Sequence, residues 1–411
     1  MGAYLIRRSA VVVLCAVLAA CASPAATETH TAQTELAYSR AMPTIAGVDW
    51  SSRGTVVSSS PDTHFAMDRL PAGSSAQTMV YRSISGITGA PTVVSGAVFT
   101  PPGTPPLGGW PVIGYAHGTV GLTADCAPTT DPELFGDISA VAIQLQLGYA
   151  VVFTDYAGLS RNNSAGGVDA SPHAYLEPKS AAFNLIDAVR AGRTVDPTLS
   201  SRWVALGASQ GGAAVWAVAE YFAAYGQGTD LLGSAALVPA LDFSAIVQHA
   251  EDSTLTTQQR YLYPYIVRGL AAVDPSIHED DYLHGALLDN ENTLLACRPP
   301  ASARKGELAD QLAHADTKPS TAAAADRLSQ RLAAYALPQQ PTTVPLLAIY
   351  GGADDTVLPE WTEVAMGRAC ALKDNVLRVR VEGQGHTLDP GAQLGDWVGA
   401  RFAGVPAVGN C

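Results

Sequence analysis

The sequence predicts an α/β fold in which a mostly parallel sheet carries helices on both faces. Short β-branched segments alternate along the chain with longer segments of helical spacing, which is the pattern of repeated βαβ units. The alternation stops between residues 241 and 343, where several short helical patterns with polar joints predict an inserted helical subdomain. No internal repeat of roughly 20–50 residues is apparent, which disfavours a solenoid or a propeller.

The individual elements follow from hydrophobic periodicity. Two early segments, Met79–Ile84 and Val93–Thr100, predict strands of antiparallel type. The later predicted strands are short apolar segments: Pro111–Ala116, Tyr149–Asp155, Arg202–Ala208, Ala235–Pro239, Pro345–Tyr350 and Val376–Val381. The predicted helices are Phe135–Leu147, Ser180–Ala191, Gly211–Ala224 and a last amphipathic helix through Leu394, Trp397, Val398 and Phe402.

Composition excludes several classes of protein. The chain has 411 residues, of which 47% are hydrophobic and 15% charged, so intrinsic disorder is excluded. No stretch reaches the roughly 20 apolar residues of a spanning helix, which excludes a polytopic membrane protein. The net charge of −13 argues against a nucleic-acid partner, because phosphate binding requires clustered Lys and Arg.

The amino terminus predicts an exported protein of bacterial type. Residues 1–20 form a signal peptide, with Arg7 and Arg8 before a short apolar segment. That segment ends in Leu18-Ala19-Ala20-Cys21, which resembles the lipoprotein cleavage box and implies lipid attachment at Cys21 and anchoring to a membrane surface. Ordinary secretion and an uncleaved anchor are the alternatives. A polar tether is predicted over residues 21–45, and the main domain over 46–411.

Four cysteines remain beyond the signal peptide and cleavage box: Cys126, Cys297, Cys370 and Cys411. An even number in an exported chain favours two disulfides, with three connectivities open. No two of them have Cys-x-x-Cys spacing, so no metal site is predicted.

A serine nucleophile is predicted at Ser209. The segment Gly207-Ala208-Ser209-Gln210-Gly211-Gly212 follows an apolar strand and begins a helix, which is the context of a Gly-x-Ser-x-Gly nucleophile elbow. The glycines suit a sharp turn in which a larger side chain would collide with the strand or the helix. The competing interpretation is a glycine-rich turn with a solvent-facing serine.

A serine hydroxyl needs a base and an orienting carboxylate, which follow the serine in α/β-hydrolase order. The turn after the strand at 345–350 resembles a Gly-x-x-Asp-x-x-x-Pro motif. Aligned on Gly352 and Pro359, that motif selects Asp355 as the acid, while Asp354 keeps a claim because Gly351 precedes it by three. His386 alone among nine histidines follows the acid, in a loop after the last strand, and is the predicted base.

The segment Tyr115–Gly121 matches the His-Gly neighbourhood of an oxyanion hole. The predicted backbone donors are Gln210, which follows the nucleophile, and Thr119 or Gly118. His117 precedes the serine, so we expect it to shape this loop rather than to act as the base.

Together these residues resemble the secretory lipase family, the lipase-A-type branch of the α/β hydrolases. The likeness extends from about Val48 to Cys411 and includes Ala116–Thr119, Asp125–Pro128, Thr154–Tyr156 and the long insertion. It implies hydrolysis of carboxylic esters, commonly triacylglycerols, without a cofactor. It also implies a lid formed by the insertion, a triad of Ser209, Asp355 and His386, and the disulfides Cys126–Cys297 and Cys370–Cys411. The lipoprotein-like start departs from the fungal members.

Other functions remain open from the sequence. An aromatic patch in the insertion (Tyr261, Tyr263, Pro264, Tyr265, Ile266) would line an acyl tunnel or form the core of the cap, and the core is favoured. A serine peptidase or an acyltransferase would use the same triad. A non-catalytic surface binding protein is disfavoured, because all three triad residue types are present in order.

Overall fold

The computed structural model describes residues 38–123, 125–159 and 173–411. The predicted signal peptide at residues 1–20, the lipidation site Cys21 and most of the predicted tether lie outside the described residues. Within the described ranges, no helix is long and apolar enough to cross a bilayer.

Nine strands of the described chain form one sheet in the order β1-β2-β3-β5-β4-β6-β7-β8-β9. The first three strands and the β3–β5 pair are antiparallel, and every pair from β5 through β4 to β9 is parallel. The strands are β1 Val56–Pro61, β2 Ser75–Ile84, β3 Pro91–Thr100, β4 Trp110–Ala116, β5 Ala150–Thr154, β6 Leu199–Ala208, β7 Asp230–Leu237, β8 Leu346–Gly351 and β9 Val376–Val381.

The helices lie between the strands and beyond them. They are α1 Gly47–Ser52, α2 Ile138–Gln146, α3 Pro178–Val195, α4 Gln210–Tyr225, α5 Ile246–Glu251, α6 Thr257–Ala271, α7 Gly285–Asp289, α8 Glu291–Leu295, α9 Lys305–Gln311, α10 Ala322–Tyr335, α11 Pro359–Leu372 and α12 Gly391–Phe402. Local chemistry sets several of their starts. Thr256 and Gln259 form a capping box on α6, and Pro359 occupies the first position of α11.

Two apolar clusters cover the two faces of the sheet. Helices α3, α4 and α11 contribute to one cluster, which continues into the helices between β7 and β8. Helices α2 and α12 contribute to the other, through side chains such as Val141 and Trp397. Successive strand residues supply opposite clusters, as Ala205 and Leu206 do, because side chains alternate across a strand. Both faces are therefore covered, as the mostly parallel sheet requires.

The predicted α/β-hydrolase fold is confirmed, with local differences in the presence and bounds of its elements. Strand β1 was not predicted, and its exposed serines explain why no apolar pattern marks it. Helix α2 begins at Ile138 rather than Phe135, because Phe135 has a φ of 53° in a turn before the helix.

The predicted tether extends too far along the chain. The prediction places residues 38–45 in the tether, but Tyr38 donates to Glu177 Oε1 at 2.7 Å, and its ring contacts Tyr335. Lys179 Nζ donates to the carbonyl of Ala41 at 3.1 Å, and Arg40 donates to Ala333 O at 2.9 Å. These contacts fasten the segment to the main domain, so a tether can occupy only residues before Tyr38.

The region predicted as an insertion lies between β7 and β8 and contains α5 to α10. Cys126 is bonded to Cys297, and Cys370 to Cys411, which is the pairing that the resemblance implies. The first disulfide joins the loop after β4 to the helical region, and the second fastens the carboxyl terminus to α11.

Candidate active site

Ser209 occupies the turn between β6 and α4 with a left-handed φ of 57° and a ψ of −116°. A non-glycine residue adopts such a conformation only where its surroundings hold it. Its N–H donates to Leu237 O at 2.9 Å, and its carbonyl accepts from Ala240 N at 3.1 Å. These bonds to the end of β7 and the loop after it hold the serine at the carboxyl edge of the sheet.

Close packing explains the glycine two residues after the serine. A Cβ atom on Gly211 would lie 1.9 Å from the carbonyl oxygen of Ala116, at the end of β4. The helix can therefore approach the neighbouring strand only if this position has no side chain.

His386 lies between Ser209 and a buried carboxylate. Its Nε2 is 2.8 Å from Ser209 Oγ, and its Nδ1 is 2.8 Å from Asp354 Oδ2. The other oxygen of Asp354 accepts the N–H groups of Thr356 at 2.8 Å and Val357 at 3.0 Å. The Asp354 side chain is 2% exposed, so these bonds replace the water that an ionised carboxyl would otherwise require.

The prediction of Asp355 as the acid disagrees with this geometry. Asp355 is exposed, and its backbone carbonyl accepts from Thr256 Oγ1 at 2.7 Å. The glycine that matters for the acid turn is Gly351 rather than Gly352. A Cβ on Gly351 would lie 2.3 Å from Gln384 O, so Gly351 is the residue that lets the acid turn meet the histidine loop. Counting three residues from Gly351 gives Asp354.

The predicted oxyanion residues converge beside the serine. Gly118 and Thr119 follow β4 and line the same cavity as Ser209, and Gln210 begins α4. His117 is fully buried below them, and burial lowers its pKa to about 4, so the imidazole is neutral. Its Nδ1 lies 2.6 Å from Gly118 O, which makes it a support of this loop, as expected.

Two residues that sequence reasoning missed contact the predicted oxyanion residues. His173 accepts at Nε2 from the Gln210 side chain at 2.8 Å, and its Nδ1 lies 2.9 Å from Ala157 O. Burial lowers the pKa of His173 to about 4, consistent with a neutral ring in that role. Tyr175 OH lies 2.6 Å from Thr119 Oγ1. No motif surrounds either residue, so no signal in the sequence could have identified them.

A cavity of about 410 Å³ opens above the serine. Its walls combine the loops after β4, β6 and β9 with α6, which contributes Tyr261 and Leu262. Within the aromatic patch of the insertion, Tyr263 and Tyr265 are fully buried, so for them the structure agrees with the favoured core interpretation.

The helical region is bonded to the acid turn and to the loop after β4. Besides Thr256, Gln259 Nε2 donates to Thr356 O at 3.4 Å. Lys305 Nζ donates to Tyr265 OH at 2.8 Å and to Val120 O at 3.3 Å, and burial lowers its pKa to about 8. The helices between β7 and β8 are thus hydrogen-bonded to two loops next to the cavity, the acid turn and the loop after β4.

Metal donors converge at one place in the described residues, where Asp125 lies beside Cys126 and Cys297. Both sulfurs are committed to the disulfide, so this group offers no thiolate ligand.

Fold and sequence comparisons show that the protein shares the α/β-hydrolase fold of lipases. The model of the secretory lipase family matches residues 133–289, a segment that includes Ser209 and ends before the acid turn. The resemblance found from the motifs is thereby confirmed. No curated protein matches the sequence.

Solved structures extend the likeness over most of the chain. Candida antarctica lipase A in its closed state superposes with a TM-score of 0.65 at 16% identity, covering 87% of this chain and 84% of that one. The rice cell wall degrading esterase LipA from Xanthomonas oryzae gives a TM-score of 0.61 at 21% identity, covering 85% and 98%. A putative hydrolase from Legionella pneumophila gives 0.59 at 17% identity, covering 80% and 93%. With the family match, this fold supports a hydrolase of the lipase and esterase kind.

Proposed function

We propose that the protein hydrolyses carboxylic esters through an acyl-enzyme on Ser209, with His386 as the base and Asp354 as the orienting acid. One observation carries the proposal. The imidazole of His386 lies 2.8 Å from the oxygen of Ser209 and 2.8 Å from a buried carboxylate oxygen of Asp354. Ser209 itself occupies the turn that is predicted to be a nucleophile elbow.

The reaction follows from these distances. Ser209 Oγ attacks the ester carbonyl while His386 Nε2 takes the hydroxyl proton, and Asp354 stabilises the resulting imidazolium. The tetrahedral intermediate then expels the alcohol, which receives that proton from His386. A water molecule attacks the acyl-enzyme in the same way and releases the acid and the free serine.

Backbone donors would stabilise the developing oxyanion. One is the N–H of Gln210, directly after the nucleophile. The other is the N–H of Thr119: His117 holds the carbonyl of Gly118 at 2.6 Å, and in a trans peptide the following N–H points the opposite way. Each such donor contributes about 2.7–4 kcal/mol to lowering the barrier.

The protein is also proposed to act outside the cytoplasm. The signal-like residues 1–20, the two disulfides and the match to a family of secretory lipases support export. Lipid on Cys21 would hold the domain at a membrane surface through the residues before Tyr38. The substrate is an ester or lipid, and no cofactor takes part in the proposed reaction.

Hydrolysis of p-nitrophenyl esters of increasing acyl length by wild type and by Ser209→Ala tests the proposal. We expect wild-type turnover on at least part of the series and a loss of about 10⁴-fold or more in the variant. Ser201→Ala, at the opposite end of β6, is the control and should retain activity. Undiminished hydrolysis by Ser209→Ala would show that Ser209 is not the nucleophile. Cleavage of peptide amides without any ester hydrolysis would make the protein a peptidase.

A further inference from the structure

An apolar groove lies between α2 and α12, on the sheet face opposite α3 and α4. It has a volume of about 360 Å³. One wall is formed by Ala140 and Ile143 of α2 and by Leu147, directly after that helix, and the other by Gly391, Leu394 and Gly395 of α12. Spacings of three and four place each set on one side of its helix, so two turns of each helix face the groove. We call this feature the α2–α12 groove.

The α2–α12 groove has room for a ligand. A Cβ atom built on Gly391 or on Gly395 meets no atom within 4 Å, so the wall formed by α12 is open where the glycines lie. On the opposite wall, Ile143 is 53% exposed and Leu147 is 54% exposed. Large apolar side chains that line a groove and remain accessible favour an apolar occupant.

The groove adjoins the cavity that contains Ser209. Ala208 and Leu237 line both spaces, and Ala208 directly precedes the serine. Tyr115, in the groove, donates to Asp137, which lines the serine cavity, at 3.0 Å. The two spaces therefore adjoin at the ends of β6 and β7, directly beside Ser209.

The mostly apolar lining of the α2–α12 groove favours a hydrocarbon over a polar ligand. Among the described residues that line it, polar side chains come only from Tyr115, Gln144 and Asp389, and Tyr115 is already bonded to Asp137. Recognition of a sugar or of an anion would require several convergent donors, whereas a hydrocarbon chain needs only apolar walls.

We propose that the α2–α12 groove binds a hydrocarbon chain of the ester substrate. The inference rests on the proposed ester hydrolysis and adds the substrate class: esters with one extended apolar chain. The groove runs along α12 from Gly391 to Val398, about 10 Å at 1.5 Å per residue, which accommodates a chain of medium length. Either the acyl chain or the alcohol chain can supply this chemistry.

Two ester series distinguish the two sources. In the first, p-nitrophenyl esters carry acyl chains from acetyl to decanoyl; in the second, alkyl acetates carry alcohols from ethyl to decyl. We expect wild-type kcat/KM to rise by about fourfold per methylene in one series, until the groove is filled. Gly395→Leu should remove most of that rise while leaving the acetyl or ethyl member unchanged. Gly367→Leu, on α11 and also in open space, should leave the profile intact.

A second variant tests the wall of the groove formed by α2, at an exposed position outside the apolar core. Ile143→Ser should weaken the long-chain members of the same series by about 10-fold, and Val364→Ser, at a comparably exposed position on α11, should not. A profile that neither Gly395→Leu nor Ile143→Ser changes would overturn the groove as a chain site while leaving ester hydrolysis intact. Absence of wild-type activity on every ester would overturn both this inference and the proposed function.

Discussion

At the residue scale, the acid turn shows how two adjacent carboxylates acquire different environments. Asp354 is buried and accepts two backbone N–H groups besides its contact with His386. Asp355, one residue later, points to solvent. The sequence limits the candidates for the acid to these two residues, and its motif selects Asp355, which the geometry contradicts. Each glycine has an aspartate three residues later, and the proline favours the alignment on Gly352. Only the contact between Gly351 and the His386 loop, which is distant in sequence, favours Asp354.

Asparagine substitutions at the two positions separate their roles. Asp354→Asn should lower kcat for p-nitrophenyl acetate by about 10⁴-fold, because the amide cannot stabilise the imidazolium or fix its tautomer. Asp355→Asn should stay within about threefold of wild type, since its side chain is exposed. Steady-state kinetics of the purified variants measure the difference. The reverse order of effects would assign the acid to Asp355.

At the element scale, the elbow was predictable because its determinants are local. A strand, a serine between glycines and a helix of small residues occur in one short segment, and the structure places Ser209 in that turn. The support beneath the oxyanion loop was not predictable. His173 and Tyr175 reach Gln210 and Thr119 across separations of 37 and 56 residues, through single polar contacts without a periodic pattern.

Alanine at Gly211 tests the close packing of α4 against β4. The new Cβ would lie 1.9 Å from Ala116 O, so we expect the free energy of unfolding to fall by about 3 kcal/mol. Gly367→Ala is the matched control, because its Cβ enters open space within α11. It should raise stability by about 0.5–1 kcal/mol through the better helix propensity of alanine. Urea unfolding curves measure both changes. Equal stability of the two variants would contradict the packing argument.

At the scale of the whole molecule, the sequence predicted the architecture because alternating strands and helices repeat along the chain. It also located the helical region between β7 and β8, where that alternation stops. It missed the attachment of residues 38–45, because their contacts with Glu177, Lys179 and Ala333 join segments far apart in sequence. The contacts that Lys305, Thr256 and Cys297 make with the floor of the site likewise depend on three-dimensional proximity.

These contacts have a consequence for the whole chain. The helical region is joined to the main domain by a disulfide and by hydrogen bonds next to the proposed catalytic groups. The helical region between β7 and β8 therefore forms part of the wall of the site rather than a separate unit.

We propose that Ser209, activated by His386, is the nucleophile of an ester hydrolase. Its most direct test is covalent labelling with diethyl p-nitrophenyl phosphate, followed by mass spectrometry of the digested protein. We expect one diethylphosphoryl group per chain, attached to Ser209, with release of one p-nitrophenolate and loss of esterase activity. The label should be absent in His386→Ala and retained in Asp355→Asn. Inactivation without a label on Ser209, or inactivation that accompanies a label at another residue, would show that Ser209 is not the nucleophile.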